Sequence, residues 1–448
     1  MWPYDHLSSP RRPMLRAPLS SEFDPSEEGE GSIDPLGLAP VYERLANRLL
    51  PSVTIRMGRP RFVTAMAVGA CICDRWEADD VAADGETPPW LVYEWLVVEA
   101  FVRAGELLQD TAGIPGIQKV RRAITRHRPI NAHSYLKTPA AFGFTGVFRR
   151  LATGVGVLTD DGQLDDGGYE LIAAWAKDQG LGGIVEGSSG EGPAWREKIR
   201  KAVTQGMQTS QTPDRPGEFW RDLASRFDPA KPGRAEAKVL LSRILTRAGP
   251  QQLVGFVTDA MVERGGVESR KAEAPFLRLL TRGAPADLHQ LLTAIDAYEA
   301  FARSISNAFD ALRHCASING GSPVDAGTFS ADRAAKASFA ALAPSLQRIR
   351  AHPVLWEWER DSPGFERAMG LFEDVGTCTD LFDAVLRHHK QVQENKRKRP
   401  WFDDVRGNRV VVRSGYSLHE PPATREDYVH EYRLPTFSRF LSDLGALR

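Results

Sequence analysis

The sequence predicts a mainly α-helical, multi-domain protein with a small C-terminal β-hairpin. In one segment after another, apolar residues recur every three or four positions, and Gly or Pro closes most of these segments. Strict alternation, which is typical of a strand, occurs in the C-terminal stretch GNRVVVRSGYSL. The chain of 448 residues is long enough for roughly two to four domains with a substantial core.

The first part of the chain is predicted to be a tail followed by three helices. Residues 1–32 are rich in Pro, Ser, Gly and charge, and we expect them to be disordered because they cannot bury enough apolar surface. An N-terminal helical domain is predicted over 33–113. Its first helix ends before Pro51, its second covers 62–76, and its third, PPWLVYEWLVVEAFVRAGELL, is apolar nearly all round, which predicts burial. The first helix has four apolar residues on one face: Leu38, Val41, Leu45 and Leu49.

The second half of the chain is predicted to be helix after helix. The glycine-rich stretch 181–213 is predicted to be a linker, and 214–400 a C-terminal helical domain. Short helices closed by Gly or Pro are predicted in GEFWRDLASRF, AEAKVLLSRILTRA, QQLVGFVTDAMVERG and APFLRLLTRG. A longer helix is predicted from 285 to about 318, and the last long helix of this domain from near 364 into LRHHKQVQENKRKRPW. Residues 401–448 are predicted to form a β-hairpin and a closing helix.

Composition excludes several classes of protein. The chain has 57 basic and 58 acidic residues and a formal charge of -1 at pH 7, so any contact with nucleic acid must be local. No apolar run reaches the roughly 18 residues of a membrane span, and the first residues lack the hydrophobic core of a signal peptide. We therefore expect a cytoplasmic protein without a membrane partner. The cysteines are too few and too scattered for a disulfide framework: Cys71, Cys73, Cys315 and Cys378.

Residues 114–180 contain the most specific pattern in the chain. A first helix turns its basic residues outward: Lys119, Arg121, Arg122 and Arg126. Thr138 and Pro139 begin a short second helix. The third helix buries Phe144, Val147, Phe148, Leu151 and Val155, and it leaves an open face formed by Thr145, Arg149, Arg150 and Thr153. A strand, an Asp161–Gly162 turn, a second strand and a helix follow.

This order resembles the winged helix-turn-helix of bacterial regulators, in which a wing and a closing helix follow the recognition helix. The resemblance implies that Thr145, Arg149 and Arg150 meet the major groove of double-stranded DNA or its phosphates. It also implies that the outward residues of the first helix meet the flanking backbone. The predicted wing tip departs from the pattern, because phosphate would repel its four carboxylates: Asp160, Asp161, Asp165 and Asp166. The alternative is a winged helix that contacts protein.

A second resemblance lies at the front of the chain. The stretch LGLAPVYERLANRLLPSVTIRMGRPRFVT is similar to the opening of proteins encoded in bacterial antiphage defence islands. The C-terminal stretches KRKRPWF and YVHEYRLPTFSRFL also look similar to proteins from that setting. The resemblance contains no catalytic motif. It implies partner proteins of a defence system, such as a helicase, a methyltransferase or a nuclease.

Two clusters could bind metal or phosphate. Cys71 and Cys73 form a Cys-x-Cys pair, but structural zinc sites favour two to four residues between paired cysteines, so we expect core thiols. Adjacent His388 and His389 point about 100° apart on a helix, so they are poorly placed to bind the same metal ion. With the basic residues after them, they predict a solvated basic helix end or a nucleic-acid contact. The basic residues of this second candidate DNA contact are Lys396, Arg397, Lys398 and Arg399.

The sequence offers the residue types of a metal-dependent nuclease without the structure that such a site needs. Asp228 and the EAK of 236–238 supply a carboxylate pair and a lysine, but AEAKVLLSRIL is helical, whereas the motif requires a strand. The glycines of 180–192 lack the Gly-Lys-Ser/Thr ending of a phosphate loop. We therefore expect no catalytic residue, no metal site and no cofactor.

The sequence as a whole predicts a non-enzymatic DNA-binding or adaptor subunit of an antiphage defence system. Two alternatives remain: a metal-dependent nuclease subunit of such a system, and a helical scaffold that binds protein only.

Overall fold

The computed structural model is mainly helical, with a two-stranded antiparallel hairpin near the C terminus, as predicted. The predicted disordered tail, 1–32, lies outside the described residues. Within the described ranges, no helix combines the length and the apolar character that crossing a membrane requires. The structure describes residues 34–105, 108, 113–247, 251–352, 355–357, 365–422 and 425–447.

The three predicted N-terminal helices form close to their predicted bounds. They are α1 (Ala39–Leu49), α2 (Phe62–Cys73) and α3 (Pro89–Ala104). Prolines 88 and 89 suit the start of α3, because a first-turn residue needs no N–H donor. Nearly every residue of α3 is buried, including Glu94 and Glu99, so this helix forms the centre of the N-terminal part.

Residues 114–180 contain the predicted helices but not the predicted two-stranded wing. The helices are α4 (Ile117–Thr125), α5 (Pro139–Phe142), α6 (Phe144–Gly154) and α7 (Asp166–Gln179). Between α6 and α7, a single antiparallel bridge joins Leu158 to Leu164. No strand follows Leu164, because Asp165 is already the N-cap of α7 and its carboxylate accepts the Asp166 N–H at 2.8 Å.

The prediction of a linker over 181–213 is wrong for most of its length. Helix α8 (Glu191–Thr209) occupies 19 residues of it and packs on α2 and α3. The glycines of 180–192 led to the linker prediction, but the residues that follow them have apolar side chains at helical spacing. The buried residues of α8 include Trp195, Ile199, Ala202 and Val203.

The helices predicted beyond residue 214 form where the sequence places them, with one exception. The confirmed helices are α9 (Gly217–Arg226), α10 (Arg234–Arg247), α11 (Gln251–Arg264), α12 (Arg270–Leu280) and α13 (Ala286–Ile318). Two further helices follow, α14 (Ala326–Ala331) and α15 (Arg333–Arg350).

The exception is the last long helix of this part, which is two helices. These are α16 (Phe365–Glu373) and α17 (Cys378–Asn395). The break occurs because Thr377 and Asp380 form a capping box: each side chain accepts the backbone N–H of the other, at 3.2 and 2.8 Å. The hairpin pairs β1 (Phe402–Val405) with β2 (Arg409–Val412), and α18 (Leu434–Asp443) closes the chain, as predicted.

Two buried charged side chains, Glu273 and Arg433, hold the start of α18 against α12 and against the N-terminal part of the chain. Glu273 of α12 accepts the backbone N–H groups of Tyr432 and Leu434 at 3.0 and 2.9 Å, and burial raises its pKa to about 8. Between them, Arg433 has φ +69° and donates to the carbonyl oxygen of Val53 at 2.6 Å. The start of α18 is thus bound both to α12 and to the segment that follows α1.

A buried ion pair joins the start of α2 to α10. The Arg61 guanidinium donates from Nε and Nη2 to the two carboxylate oxygens of Glu236, each at 3.0 Å, and from Nη1 to the carbonyl oxygen of Asp228 at 2.7 Å. Both side chains are almost completely buried. Such a bidentate pair has specific geometry, and removing one partner leaves an uncompensated charge in the core.

We expect Glu236→Ala to lower the free energy of unfolding by about 3–5 kcal/mol, because Arg61 would remain buried without its carboxylate. Equilibrium denaturation followed by circular dichroism measures the change. The matched control is Glu263→Ala on the exposed side of α11, which should change stability by less than about 0.5 kcal/mol. The double variant Arg61→Met/Glu236→Leu should recover much of the stability. A Glu236→Ala protein as stable as the control would contradict the assigned role.

Candidate nucleic-acid interface

Helix α4 presents a basic face to solvent. It buries Ile117, Val120 and Ala123 and packs on α3. Lys119, Arg122 and Arg126 are exposed, and their spacing of three and four residues places them on one side. Among the described residues, none provides an ion-pair partner for these three side chains. Arg121 is exposed beside them. The structure thus brings together the outward residues that the sequence predicted for this helix.

The start of α4 is positioned by a close contact with Tyr135. Gly116, the N-cap residue, has φ +77°, and a Cβ there would lie 2.5 Å from the Tyr135 hydroxyl oxygen. Both the backbone conformation and the space therefore require glycine. The Tyr135 hydroxyl donates to Oε1 of Glu94 at 2.8 Å, so the start of α4 is packed against a residue bound to the centre of α3.

Glu94 also binds the start of α6. Its Oε2 accepts the backbone N–H of Thr145 at 2.9 Å. The first N–H groups of a helix have no partner within the helix and carry a partial positive charge, so a carboxylate there is favourable. Burial raises the pKa of Glu94 to about 7, although the hydrogen bonds from Thr145 and Tyr135 lower it. One side chain thus connects α3, the segment after α4, and α6.

The predicted recognition helix, α6, does not present Thr145, Arg149 and Arg150 on one open face. The Arg150 guanidinium donates to Oδ1 of Asn47 in α1 at 2.7 Å. The Arg149 guanidinium binds the carbonyl oxygen of Asp160 in the turn before α7. Thr145 is half-buried, and its N–H binds Glu94. Successive helix residues point about 100° apart, so Arg149 and Arg150 bind elements on different sides of α6.

The acidic turn has a structural explanation. Asp165 caps α7, and Asp166 lies in the first turn of that helix, where the helix dipole favours a negative charge. Asp160 supplies the carbonyl that Arg149 binds, while Asp161 is exposed. Two of the four carboxylates that were expected at a wing tip, Asp165 and Asp166, therefore belong to the start of α7.

The second basic cluster, Lys396–Arg399 at the end of α17, is exposed but lies apart from α4. Lys396 binds the carbonyl and the carboxylate of Asp34, which precedes α1. Lys398 and the two arginines, Arg397 and Arg399, are exposed to solvent. The structure therefore divides the predicted DNA-binding residues among three places: the face of α4, the two sides of α6, and this cluster.

The prediction of a solvated helix end is wrong for His388 and His389, which are both buried. His388 Nε2 lies 2.6 Å from the carbonyl oxygen of Leu36, and His389 Nδ1 lies 2.9 Å from that of Pro35. The Trp401 N–H donates to His389 Nε2, so the ring proton is on Nδ1. Burial lowers the pKa of His389 to about 4 and keeps it neutral. The two histidines hold the segment before α1 against α17.

The nuclease candidate residues do not form a site. Glu236 is paired with Arg61, Asp228 is buried nearby, and Lys238 points to solvent. In the part of the chain that the structure describes, no three His, Cys, Asp or Glu residues are grouped so that they could hold a metal ion. Burial raises the pKa of Cys71 and of Cys73, so both are thiols, consistent with packing in α2.

One signal in the sequence was missed. Between Asp110 and Asp160, residues 111–159 contain eight Lys or Arg and no Asp or Glu, in a chain whose formal charge is -1. Two of these residues, Arg128 and Lys137, are exposed and were not predicted as contacts. Counting acids as well as bases along the chain would have identified this segment as a basic run of 49 residues without an acid.

Comparison of the chain with family models, curated proteins and solved structures gave no match.

We expect Glu94→Gln to remove a pH dependence of stability. Because the folded-state pKa of Glu94 is raised from 4.5 to about 7, the folded protein holds this proton more tightly than the unfolded chain. The resulting stabilisation is present below pH 4.5 and is lost as pH rises through about 7. The free energy of unfolding of the wild type, minus that of Glu94→Gln, should therefore fall from pH 4.5 to 7. Denaturation at several pH values measures it. Glu263→Gln is the exposed control, and parallel curves for Glu94→Gln and the wild type would refute this role.

Proposed function

We propose that the chain binds double-stranded DNA through α4 and acts without catalysing a reaction, as a DNA-binding or adaptor subunit. The observation that carries the proposal is the exposed row of Lys119, Arg122 and Arg126 within the acid-free segment 111–159. Exposed cations without an ion-pair partner among the described residues produce a local positive field even though the whole chain is nearly neutral.

The proposed contact is with the phosphate backbone. Lysine and arginine that neutralise phosphates release counterions, which supplies affinity without reading sequence. Reading a base requires side chains that reach the base edges, and the arginines of α6 are bound to Asn47 and to the Asp160 carbonyl instead. We therefore propose binding with little sequence preference, through α4 rather than through a recognition helix. The cluster Lys396–Arg399 is a candidate for a second backbone contact.

The setting of this activity is proposed from resemblance alone. The stretch LGLAPVYERLANRLLPSVTIRMGRPRFVT supports a place in an antiphage defence system, where a helicase, a methyltransferase or a nuclease would be the partner. In that setting, the chain would hold a partner enzyme on DNA.

Binding of a duplex by the full chain, measured across a salt titration, tests the proposal. We expect Arg122→Ala/Arg126→Ala to weaken binding of all duplex sequences alike. The slope of log K against log salt should become less negative by roughly 0.9 for each phosphate that the variant no longer neutralises. The matched control is Arg333→Ala/Lys336→Ala, which removes two exposed basic residues from α15 and should bind as the wild type does. Arg149→Ala/Arg150→Ala should change the slope less than the α4 variant.

Three results would contradict the proposal. If the α4 variant and the α15 control show the same slope, α4 is not the interface. If the α6 variant binds a duplex more weakly than the α4 variant, α6 is the DNA contact. If the wild type does not bind a duplex at low salt, the proposal of DNA binding is wrong, and the protein-binding scaffold becomes the better hypothesis.

A further inference from the structure

A groove with a volume of about 270 Å³ lies between α13, α15 and Arg425, which belongs to the segment before α18. Small side chains leave this space open, because the two helices line it with alanine, serine and Pro344. The three serine hydroxyls are buried and donate to carbonyl oxygens, so they keep no hydrogen for a ligand. The described residues that line the groove include no aromatic side chain, so a flat ring finds no surface on which to stack.

Three arginines supply the charge of this groove. Arg303 lies on α13, Arg348 on α15, and Arg425 on the third wall. Among the described residues that line the groove, none has a carboxylate. A guanidinium has five N–H donors, yet each of these three hydrogen-bonds to the described residues through only one nitrogen atom. The groove therefore keeps both positive charge and donors for an anion.

The carboxylates that bind two of these arginines are shared with arginines outside the groove. Arg303 binds no carboxylate among the described residues, only the carbonyl oxygen of Glu426 at 2.7 Å. Glu426 and Asp427 are exposed beside Arg425, and neither lines the groove. In this region, five arginines outnumber four carboxylates, and all three arginines of the lining face the groove. The shared carboxylates are Asp296, which binds Arg278 and Arg348, and Asp310, which binds Arg313 and Arg425.

The three arginines are spread along the groove rather than gathered at one point. Arg425 binds Asp310, whereas Arg348 binds Asp296, which precedes Asp310 by 14 residues on α13. Arg303 lies seven residues from each aspartate, which is about 10 Å along the helix axis. A ligand that meets arginines at both ends therefore needs two anionic groups, separated by a distance on the order of 10 Å.

We propose that this groove binds a small, non-aromatic organic bisphosphate. One phosphate binds Arg303 and Arg425, the other binds Arg348, and the organic part lies on the alanines between them. Arginine suits this ligand because its planar guanidinium can donate two parallel hydrogen bonds to phosphate oxygens. A cavity of about 150 Å³ holds benzene, so a groove of about 270 Å³ has room for a phosphorylated sugar.

This site is separate from the basic face of α4, because no lining residue belongs to that helix. Its test uses no duplex and therefore does not depend on whether the chain binds DNA. The test compares fructose 1,6-bisphosphate with fructose 6-phosphate by isothermal titration calorimetry with the full chain. An ionic strength of about 0.15 M screens exposed charges that lie more than about 8 Å from the ligand.

We expect the wild type to bind the bisphosphate about tenfold more tightly than the monophosphate. The second phosphate adds charge-assisted hydrogen bonds, and one such bond contributes about that factor. Arg348→Gln should remove most of this preference, because it removes the arginine that meets the second phosphate. Arg303→Gln/Arg425→Gln should weaken binding of both compounds by about tenfold or more.

Arg278→Gln is the matched control for Arg348→Gln. Both arginines bind Asp296, and their side chains are 49% and 47% exposed, but Arg278 does not line the groove. The control should bind the bisphosphate as the wild type does. Asp296 keeps one arginine in either variant, and circular dichroism and the unfolding temperature check that each variant folds.

Four results would overturn the proposal. The first is a wild type that binds neither sugar phosphate at millimolar concentration, and the second is a wild type that binds the two alike. The third is a folded Arg348→Gln that keeps the preference for the bisphosphate. The fourth is equal weakening by Arg278→Gln and Arg348→Gln, which would show that binding depends on charge in general and not on the groove.

Discussion

The buried carboxylate of Glu94 is the interaction on which the placement of the basic surface depends. A carboxylate in an apolar core is unfavourable unless donors surround it. The Tyr135 hydroxyl and the Thr145 N–H supply these donors. One comes from the segment after α4, and the other from the first turn of α6. The positions of α4 and α6 are therefore set from α3, which is buried on all sides.

Other buried charged side chains also fix how distant elements pack. Glu236 binds the Arg61 guanidinium, and Glu273 binds backbone N–H groups at the start of α18. Each connects elements that are far apart in the chain. A buried charge adds little net stability, but misplacing one is unfavourable, so such groups favour one arrangement of the helices over others. Glu236, a candidate nuclease carboxylate in the sequence, instead favours one arrangement of α2 and α10 through its ion pair with Arg61.

Helices α4 and α6 differ in how their basic side chains are exposed because their surroundings differ. Helix α6 lies against α2, where Phe62 contacts both Phe144 and Phe148 at ring-centre distances of 5.3 Å, and its arginines bind neighbouring elements. Helix α4 packs on α3 by one side only and leaves its cations in water. The hydrogen bonds of Arg149 and Arg150 to neutral oxygens leave their charge in place but hold the two guanidinium groups on different sides of α6, whereas the cations of α4 lie in water along one face. The continuous row of exposed cations is accordingly on the first helix of the unit rather than on the third.

The sequence by itself determined most helices and the hairpin, because apolar period, proline and glycine stops, and strand alternation are local signals. Thus α1, α3 and α13 begin and end close to their predicted residues. It also determined which residues of α4 are exposed. Only the tertiary structure decided where Arg149 and Arg150 point, why His388 and His389 are buried, and that Glu236 pairs with Arg61. The partners of the arginines and histidines are 11 to 354 residues away along the chain, and the two members of the ion pair are 175 apart, so no local pattern contains these contacts. Side-chain direction and pairing are set by packing, which brings distant segments together only when the chain folds.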